Sequence, residues 1–501
     1  MKITFKLLSL ICIVSLIYTI FARKLKVNRE NDNNPYSSLQ EIISSFNSNN
    51  CYIKGESVGS GKYSNVYLSW RVNYCPIEYF GGKKGTILID PSKEGIPDQE
   101  ISLLDGVPVA IKELKNINEW KIAREVTILS QLNDYSSKDS TDIEGKNSII
   151  KLLDVISYKN THIRSKTKGE ESFALVMEYI RNEQFYSLLP RLKYVDVQNY
   201  MRQLIEGIKY ANSLGIFHRD IKPQNIIINE KKKELKIIDW GLAEYYVEGG
   251  DYSPRVASKY YKAPELLLGL RNYDYTLDTW SIGCLFSQMI FRLGTFESNY
   301  FSRMFRIYPK NFVGVYSEDS PHPDVLFPGW DNEDQIVKIG SLLGGDNILA
   351  ISKKYSGTIP EDIMENLLRT RKIYNTTKPW YTDPRTFYFL VNRENIDLVT
   401  FEALDLLSRM LTLDYKYRIK PGEALKHPFF TRKHTSHVKL NEKGRSRRIE
   451  KYGSCIGESY IELLGYCDLN PLPSIFSCSK CVNNHYTNGN SLFKFFTFRN
   501  H

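Results

Sequence analysis

The stretch His218–Asn225 reads His-Arg-Asp-Ile-Lys-Pro-Gln-Asn and places a carboxylate, a lysine and an amide within six residues. Nineteen residues after Asp220 comes Asp239-Trp240-Gly241, a second carboxylate followed by a glycine. Carboxylate and amide oxygens are ligands that magnesium prefers, and a positioned carboxylate suits proton transfer. The pattern predicts that Asp220 accepts a proton, that Lys222 steadies a transferred group, and that Asn225 and Asp239 bind a metal ion.

Upstream lie a glycine-rich turn and a lysine within a strand-like run. Gly59–Val66 reads Gly-Ser-Gly-Lys-Tyr-Ser-Asn-Val, and its two glycines let backbone N–H groups approach phosphate oxygens, although a plain hairpin also explains the turn. Lys112 ends the run Val109-Ala110-Ile111-Lys112, where an ammonium needs an anionic partner. Glu125, thirteen residues later on an amphipathic helix, is expected to supply that partner and to aim Lys112 at nucleotide phosphates.

Ala263-Pro264-Glu265 closes the segment that begins at Asp239, and we predict that Arg418 is the buried partner of Glu265. Each of these residues alone could have a purely structural role, such as a surface lysine, an N-capping aspartate or a turn asparagine. Together and in this order they match the protein-kinase signature set. The sequence therefore predicts an α+β, bilobal eukaryotic protein-kinase fold, with a small β-rich N-lobe, a larger α-helical C-lobe and a cleft between them.

The composition excludes some other classes of protein. The chain has 501 residues, of which 42% are hydrophobic and 25% are charged, and this is a globular composition. Its net charge of +10 belongs to the ends, because residues 1–30 carry +5, residues 431–453 carry +6 and the other 448 residues sum to −1. A nucleic-acid-binding core is therefore not supported.

The N-terminus carries a targeting signal. Lys2 and Lys6 precede Leu7–Ala22, an apolar run of 16 residues, which suits a signal peptide and is short for a membrane span. We expect residues 1–22 to be a signal peptide or short anchor that directs the chain to the secretory pathway or a membrane. Four basic residues follow within 23–29, so an uncleaved anchor would keep the downstream domain in the cytosol; cytoplasm or nucleus is the alternative location.

The remaining chain divides into three regions. Residues 23–50 are predicted to be a linker or N-terminal segment, residues 51–430 a kinase domain with lobes at about 51–178 and 182–430, and residues 431–501 a basic and then cysteine-containing tail. The tail cysteines would pair in an oxidising lumen, bind zinc in a reducing compartment, or remain unpaired thiols. They are Cys455, Cys467, Cys478 and Cys481.

Periodicity predicts a strand at Val107–Leu114 and helices at Glu119–Leu132, Val195–Leu214 and Thr279–Phe291, the last one buried. Gly215 suits the C-cap of the second helix. Three polar or glycine- and proline-containing stretches interrupt these patterns and are predicted to be surface loops. They are Pro76–Asp105, Asp134–Lys146 and roughly Leu293–Pro323.

From about Tyr36 to Phe430 the sequence resembles the catalytic α subunits of casein kinase II, within the CMGC group of Ser/Thr kinases. The matching signatures are Gly61-Lys62-Tyr63-Ser64, Asp239-Trp240-Gly241-Leu242-Ala243-Glu244 and Arg255-Val256-Ala257-Ser258-Lys259-Tyr260. Tryptophan in the metal-binding tripeptide, where most kinases have phenylalanine, is the most discriminating. Cyclin-dependent and mitogen-activated kinases share Ala263-Pro264-Glu265-Leu266 but lack this tryptophan.

The resemblance implies ATP, with GTP as a second donor, and Mg²⁺. It implies that Glu178 and Ile180 make backbone hydrogen bonds to the base, while ordinary core packing remains the alternative explanation for the apolar members of the site. The implied ATP-binding residues are Val58, Gly59, Ser60, Gly61, Lys62, Tyr63, Ser64, Val66, Ala110, Lys112, Met177, Glu178, Tyr179, Ile180, Ile227 and Ile238.

The resemblance also implies acidic protein substrates, recognised through Arg255, Lys259 and Lys262, although solvated surface charge would explain these residues too. Members of the family have a run of lysines before the helix that carries the residue matching Glu125. The matching stretch here reads Asn118-Glu119-Trp120-Lys121, which leaves one of the four positive charges. We therefore expect weaker selection for acidic residues further downstream, and weaker inhibition by polyanions.

The resemblance implies constitutive activity, with Tyr36–Asn50 packed against the activation segment Asp239–Glu265. The family's regulatory β dimer docks on apolar side chains of the first three N-lobe strands, where this chain has Lys54, Tyr67 and Glu113. Burying two charges there is costly without matched partners, so we expect the chain to act without a β subunit.

Two alternative functions remain at this point. A pseudokinase scaffold would share the fold without phosphoryl transfer, but it would lack a catalytic group, and Lys112, Glu125, Asp220, Lys222, Asn225 and Asp239 are all present. A proline-directed kinase of the same group is the second alternative.

Overall fold

The computed structural model describes residues 39–46, 50–61, 63–72, 87–89, 106–115, 117–134, 143–159, 171–295, 324–369, 382–391 and 394–431. The predicted leader 1–22 and the tail 431–501, apart from Thr431, lie outside these residues, as does most of the third predicted insertion. No helix among the described residues is long and apolar enough to cross a membrane.

The described residues belong to two compact units. The first contains residues up to Asn182 together with 210–218 and 236–249, and the second contains residues 183–209, 219–235 and 250 onwards. The strands are β1 (Cys51–Ser60), β2 (Ser64–Val72), β3 (Ile87–Ile89), β4 (Gly106–Leu114), β5 (Leu152–Lys159), β6 (Glu171–Glu178), β7 (Ile216–Phe217), β8 (Ile226–Asn229), β9 (Glu234–Ile237) and β10 (Glu244–Tyr245).

The helices that precede the activation segment are α1 (Leu39–Phe46), α2 (Glu119–Asn133), α3 (Ile143–Asn147), α4 (Phe185–Leu188) and α5 (Tyr194–Ser213). Those at its end and beyond are α6 (Pro264–Leu267), α7 (Thr276–Phe291), α8 (Asn332–Leu343), α9 (Gly345–Tyr355), α10 (Glu361–Arg369), α11 (Phe401–Met410), α12 (Pro421–Ala424) and α13 (Pro428–Thr431). The predicted strand and three predicted helices are confirmed to within three residues. Gly215 follows α5 with a φ of 75°, as its C-cap role predicts.

The first unit is built on a six-stranded sheet in the order β3-β1-β2-β4-β6-β5, antiparallel except for the parallel pair of β1 and β3. One face of the sheet packs on α1 and α2, through a cluster that includes Leu39, Ile122, Val126 and Leu175. This face, which we call the α2 face, is also the face of Lys112, because Lys112 lies opposite Leu175 in the strand register.

The opposite face of the sheet is enclosed. The Tyr52 hydroxyl on β1 donates to the Asp154 carboxylate on β5 at 3.1 Å, although three strands separate β1 from β5 in the sheet order. The sheet must therefore curl until its two ends approach one another. The enclosed face carries a second apolar cluster with Leu88 of β3 packed against it, and its members are Tyr52, Val109, Ile111, Ile156, Ala174 and Val176.

Two of the predicted loops contain regular structure. Within Pro76–Asp105, Ile87–Ile89 forms β3, which pairs with Cys51–Ile53, and Ile89 is fully buried. Within Asp134–Lys146, the helix α3 begins at Ile143. Three consecutive apolar residues at a sheet edge gain more by pairing and burial than by solvation, and the prediction overlooked this local signal within a polar stretch.

The predicted N-terminal segment contains a helix. Its described part is the amphipathic helix α1, whose Ile42, Ile43 and Phe46 pack against the cluster on the α2 face. The helix α1 packs on α2 and β5, and α2 also contacts Trp240–Leu242 of the activation segment.

The second unit is mainly helical. Its core helix α7 is buried along its whole length, as its apolar sequence predicts. Close to the first turn of α7, Arg418 forms a bidentate ion pair with Glu265, at 2.7 and 2.9 Å. Both side chains are at most 1% exposed. Arg418 also donates to the carbonyl of Thr276, so the predicted Glu265–Arg418 pair is confirmed and anchors the end of the activation segment to α7.

Candidate active site

In the first unit, Lys112 lies between two carboxylates. Its Nζ donates to Glu125 Oε1 at 2.7 Å and to Asp239 Oδ1 at 2.8 Å, so the predicted pairing with Glu125 is confirmed. Burial alone would lower the pKa of Lys112, but the charges of Glu125 and Asp239 outweigh this and raise it. The ammonium is therefore charged at physiological pH, as a phosphate-binding lysine must be.

Strand register explains which of the implied nucleotide-site residues come together. Val66 on β2 lies opposite Lys112, and Ala110 on β4 lies opposite Met177. Directly opposed residues share a face, so these four side chains lie on the α2 face of the sheet. The backbone N–H of Glu178 donates to the carbonyl of Lys151. A backbone hydrogen bond between Glu178 and a base would therefore have to use the Glu178 carbonyl as the acceptor.

The other apolar and aromatic residues implied in the nucleotide site are exposed or half-buried. Val58 and Tyr63 are about half exposed, at 51% and 55%. Tyr179, Ile180, Ile227 and Ile238 are half-buried, and Ile227 belongs to the second unit. Lys62 lies outside the described residues.

The turn after β1 does not need its glycines for its own backbone. Gly61 N–H donates to the Ser64 carbonyl at 2.8 Å, and the Ser60 hydroxyl donates to Asn65 at 2.8 Å. A Cβ at Gly59 or Gly61 would come no closer than 3.9 or 3.7 Å to its neighbours, and neither residue has a positive φ. The plain-hairpin explanation therefore does not account for the two glycines, whereas close approach of a ligand would.

The tripeptide at 239–241 is fixed to α2. Asp239 adopts a left-handed φ of 58°, and the fully buried Trp240 ring lies 4.6 Å from the His218 ring. Gly241 packs closely on α2, because a Cβ at this position would lie 3.1 Å from Glu125 Oε2 and would press on that side chain. Arg124, one residue before Glu125, donates to the Gly241 carbonyl at 2.9 Å and to Glu244 at 3.0 Å.

In the second unit, Asp220 is the centre of a hydrogen-bond network. Its Oδ2 accepts from Lys222 Nζ at 2.7 Å and from Asn225 Nδ2 at 3.0 Å, while its Oδ1 accepts from both the backbone N–H and the hydroxyl of Ser258 at 2.8 Å. Lys222 also donates to the Ser258 hydroxyl at 2.8 Å. The backbone of this loop is held by Asp278, which is fully buried and accepts from Arg219 N–H at 2.7 Å.

Residues 101–430, about two thirds of the chain, match the family model of the protein kinase domain. The chain belongs to the protein kinase family. Its bilobal fold, with a curled β-sheet N-lobe and a helical C-lobe, is therefore the kinase fold, as predicted. Protein kinases transfer a phosphoryl group from ATP to protein substrates with Mg²⁺, and this family membership identifies the chain as such a transferase. The glycine-rich turn at 59–66 precedes the matched residues.

The donor chemistry of this kinase fits Mg²⁺. Asn225 uses its Nδ2 to bond Asp220, which leaves the amide oxygen as the atom that a cation would meet. The Asp239 side chain is 45% exposed although its Oδ1 accepts from Lys112. Oxygen donors of this kind are what magnesium prefers. The described residues contain no group of three or more His, Cys, Asp or Glu that could hold a metal ion by themselves.

Three basic side chains of the kinase lie within its activation segment. Arg255 is exposed, and Lys259 and Lys262 are half-buried. Lys259 Nζ donates to the carbonyl of Trp330 at 2.7 Å, and Lys262 Nζ donates to Asn332 Oδ1 at 3.1 Å. Both lysines thus bond neutral oxygens, so their positive charges are not neutralised by these contacts. Burial lowers the pKa of Lys262.

Two residues that bond the candidate catalytic groups were not predicted from the sequence. Ser258 was only part of a family signature, yet it bonds both Asp220 and Lys222. Arg124 was passed over beside Glu125, yet it ties α2 to Gly241 and Glu244. A signal for Arg124 existed, since an arginine among the apolar positions of a helix needs an anionic partner when buried.

Proposed function

We propose that this kinase is a constitutively active Ser/Thr kinase of the casein kinase II type that phosphorylates acidic sites. The observation that carries the proposal is that Lys259 directly follows Ser258, whose N–H and hydroxyl bind Asp220. A carboxylate close to the acceptor residue would meet Lys259 and Lys262, whose ammonium groups bond only neutral oxygens among the described residues. Charge complementarity of this kind selects acidic peptides.

In this proposal each cluster has a defined role. Asp220 accepts the proton of the acceptor hydroxyl, and Lys222 stabilises the transferred phosphoryl group. Lys112, oriented by Glu125, contacts the ATP phosphates. Asn225 and Asp239 would hold Mg²⁺, which supplies positive charge to the phosphates when it is bound. The glycine-rich turn would cover the phosphates, and the apolar residues on the α2 face would bind the adenine.

Constitutive activity is supported by the contacts of the activation segment, which use unmodified side chains. In the first unit, Arg124 bonds Glu244. In the second unit, the buried Tyr273 donates its hydroxyl to the Ser253 carbonyl at 2.7 Å, and Arg271 pairs with Asp251. These bonds order the segment without a phosphate group, so a phosphorylated residue is not needed to supply the charge.

The test is steady-state phosphorylation of matched peptides that differ only in their acceptor and in the charges beside it. Unphosphorylated kinase should transfer phosphate from ATP to Ser and Thr in acidic peptides, more slowly to basic or proline-flanked peptides, and not to Tyr. Asp239→Ala should abolish transfer, which separates the kinase from a contaminant. GTP in place of ATP tests the second donor.

Three results would contradict the proposal. Equal rates on acidic and basic peptides would remove the acidic specificity, and a preference for a following proline would favour the proline-directed alternative. Binding of ATP without transfer to any peptide would favour the pseudokinase alternative.

We also propose that the chain acts without the family's β subunit, but on a different ground from the sequence argument. Lys54 and Glu113 do not await partner charges, because they pair with each other at 2.9 Å while the Lys54 ammonium lies 3.9 Å from the Tyr67 ring centre. The register places all three side chains on the enclosed face, which the sheet's own apolar cluster and β3 already fill. A partner would have to displace this packing.

Light scattering after size exclusion tests the proposal about the partner, with a family α subunit as the positive control. A stable complex between this chain and a family β subunit would contradict it.

For localisation, we propose entry into the secretory pathway or attachment to a membrane through residues 1–22. Cys51 on β1 is disulfide-bonded, and disulfides persist in oxidising compartments, which supports a lumenal kinase domain. N-terminal sequencing of the native protein should find a start near Arg23, and non-reducing peptide mapping should find Cys51 in a cross-linked peptide. A free Cys51 thiol in a chain that retains Met1 would contradict the proposal.

A further inference from the structure

Trp330 presents a large apolar surface beside the basic residues of the site. Trp330 is 58% exposed, whereas Phe327, three residues earlier, is fully buried and stacks on Trp280 with 5.8 Å between the ring centroids. A single exposed apolar residue needs no functional explanation by itself. A role for Trp330 in binding would require a fixed backbone and suitable neighbouring charges.

The loop that carries Trp330 is held rigidly. Trp330 N–H donates to Asp334 Oδ2 and Gly329 N–H donates to Gln335 Oε1, each at 2.9 Å, while the Trp330 carbonyl accepts from Lys259 Nζ at 2.7 Å. Gly329 is required, because a Cβ would lie 2.5 Å from the Gln335 backbone. An aromatic ring on a fixed backbone loses little conformational entropy when it binds a partner.

Trp330 is also within reach of a bound substrate chain. Two hydrogen bonds connect Asp220 with Trp330: Ser258 N–H donates to Asp220 Oδ1 at 2.8 Å, and Lys259 Nζ donates to the Trp330 carbonyl at 2.7 Å. Between them lie the backbone from Ser258 to Lys259 and the lysine side chain. The distance between Asp220 Oδ1 and the Trp330 carbonyl oxygen is therefore at most about 17 Å, which about five residues of extended peptide can span.

The charges around the ring decide what kind of side chains can approach. Lys259 and Lys262 both reach this loop, and their bonds to it are with neutral oxygens. Of the acidic residues that follow, Asp331 caps the N-terminus of α8 by accepting from Asp334 N–H, and Asp334 accepts from Trp330 N–H. The exposed Glu333, which directly follows the Asn332 that Lys262 bonds, adds one negative charge on the first turn of α8.

We propose that Trp330 forms a subsite for an apolar side chain of the protein substrate, within about five residues of the phosphorylated Ser or Thr. The inference rests on the proposed function and adds a second determinant to it, because the lysines bind a carboxylate while the ring covers a neighbouring leucine or phenylalanine. Aromatic residues in such positions contribute strongly to recognition of protein partners.

The experiment uses two peptide series, one with acidic residues beside the acceptor and one with neutral residues. In each series one leucine is moved through the five positions on either side, against an alanine background. We expect one position to lower KM by about fivefold with little change in kcat, as partial burial of a leucine side chain predicts. Trp330→Ala should remove this difference and Trp330→Phe should keep part of it.

Leu368→Ala is the matched control, because Leu368 is an exposed apolar residue of α10, with 66% of its surface exposed, and we place it in no binding site. This variant should keep the leucine effect. Leucine without effect at every position, or with the same effect in Trp330→Ala, would overturn the subsite. Equal rates for the acidic and neutral series would instead contradict the proposed acidic specificity, while the effect of Trp330 would still be measurable in both.

Discussion

Ser258→Ala tests whether the network around Asp220 positions the catalytic carboxylate. The substitution removes a hydroxyl that accepts from Lys222 Nζ and donates to Asp220 Oδ1, both at 2.8 Å. Each hydrogen bond to a charged group contributes about 1.5–3 kcal/mol. Asp220 would keep its bonds to Lys222, Asn225 and the Ser258 N–H. We therefore count the equivalent of one lost bond, which corresponds to a reduction of about 10- to 100-fold in kcat.

The assay is steady-state transfer to an acidic Ser peptide, with kcat and KM measured separately for ATP and for peptide. The KM for ATP should change less than about twofold, because Ser258 is not among the residues that would hold the nucleotide. Ser258→Thr keeps the hydroxyl on the same extended backbone and should restore most of the activity. If kcat of Ser258→Ala stays within about twofold of wild type, or if threonine fails to rescue it, the positioning role is wrong.

Three further predictions follow from the ionic contacts. Lys262→Ala should raise the KM for acidic peptides about tenfold. Because burial lowers the pKa of Lys262, the preference for acidic over neutral peptides should weaken at a pH below the usual lysine value of about 10.4 in wild type but not in Lys262→Arg; the same pH profile in both would contradict this. Glu265→Gln leaves the buried Arg418 unpaired and should lower the free energy of unfolding in urea by about 3–5 kcal/mol, and a loss below about 1 kcal/mol would refute the anchor. Lysines in place of Asn118–Trp120 should increase inhibition by heparin, and unchanged inhibition would contradict the role of these charges.

The elements that the sequence predicted well have strong local signals. The helix α2 was predicted to end at Leu132 and ends at Asn133, because Ile122, Val126 and Leu129 mark one apolar face. Burial also made two ion pairs predictable, since a lysine inside a strand and a glutamate next to a buried helix both need partners of opposite charge. The Lys112–Glu125 and Glu265–Arg418 pairs meet that need.

The features that escaped prediction depend on contacts between distant parts of the chain. Ser258 is a small polar residue in an irregular segment, and nothing in its sequence surroundings shows that it lies 2.8 Å from Asp220, 38 residues away. The strand β3 is only three residues long, so its edge position is decided by β1 rather than by its own pattern. Local propensity is a weak guide where such tertiary contacts supply the stabilisation.

The enclosed face of the sheet shows that residue identity alone does not reveal whether two charges are paired within the chain. Lys54 and Glu113 appeared to be two charges exposed on a docking face, because sequence neighbours do not reveal strand register. In the structure, β2 separates β1 from β4, and both side chains reach across Tyr67 to each other. Their charges are therefore compensated within one chain, and the energetic obstacle to docking is not an unpaired charge. We propose that it is instead the loss of the packing that Ile111, Val176 and β3 already make on that face.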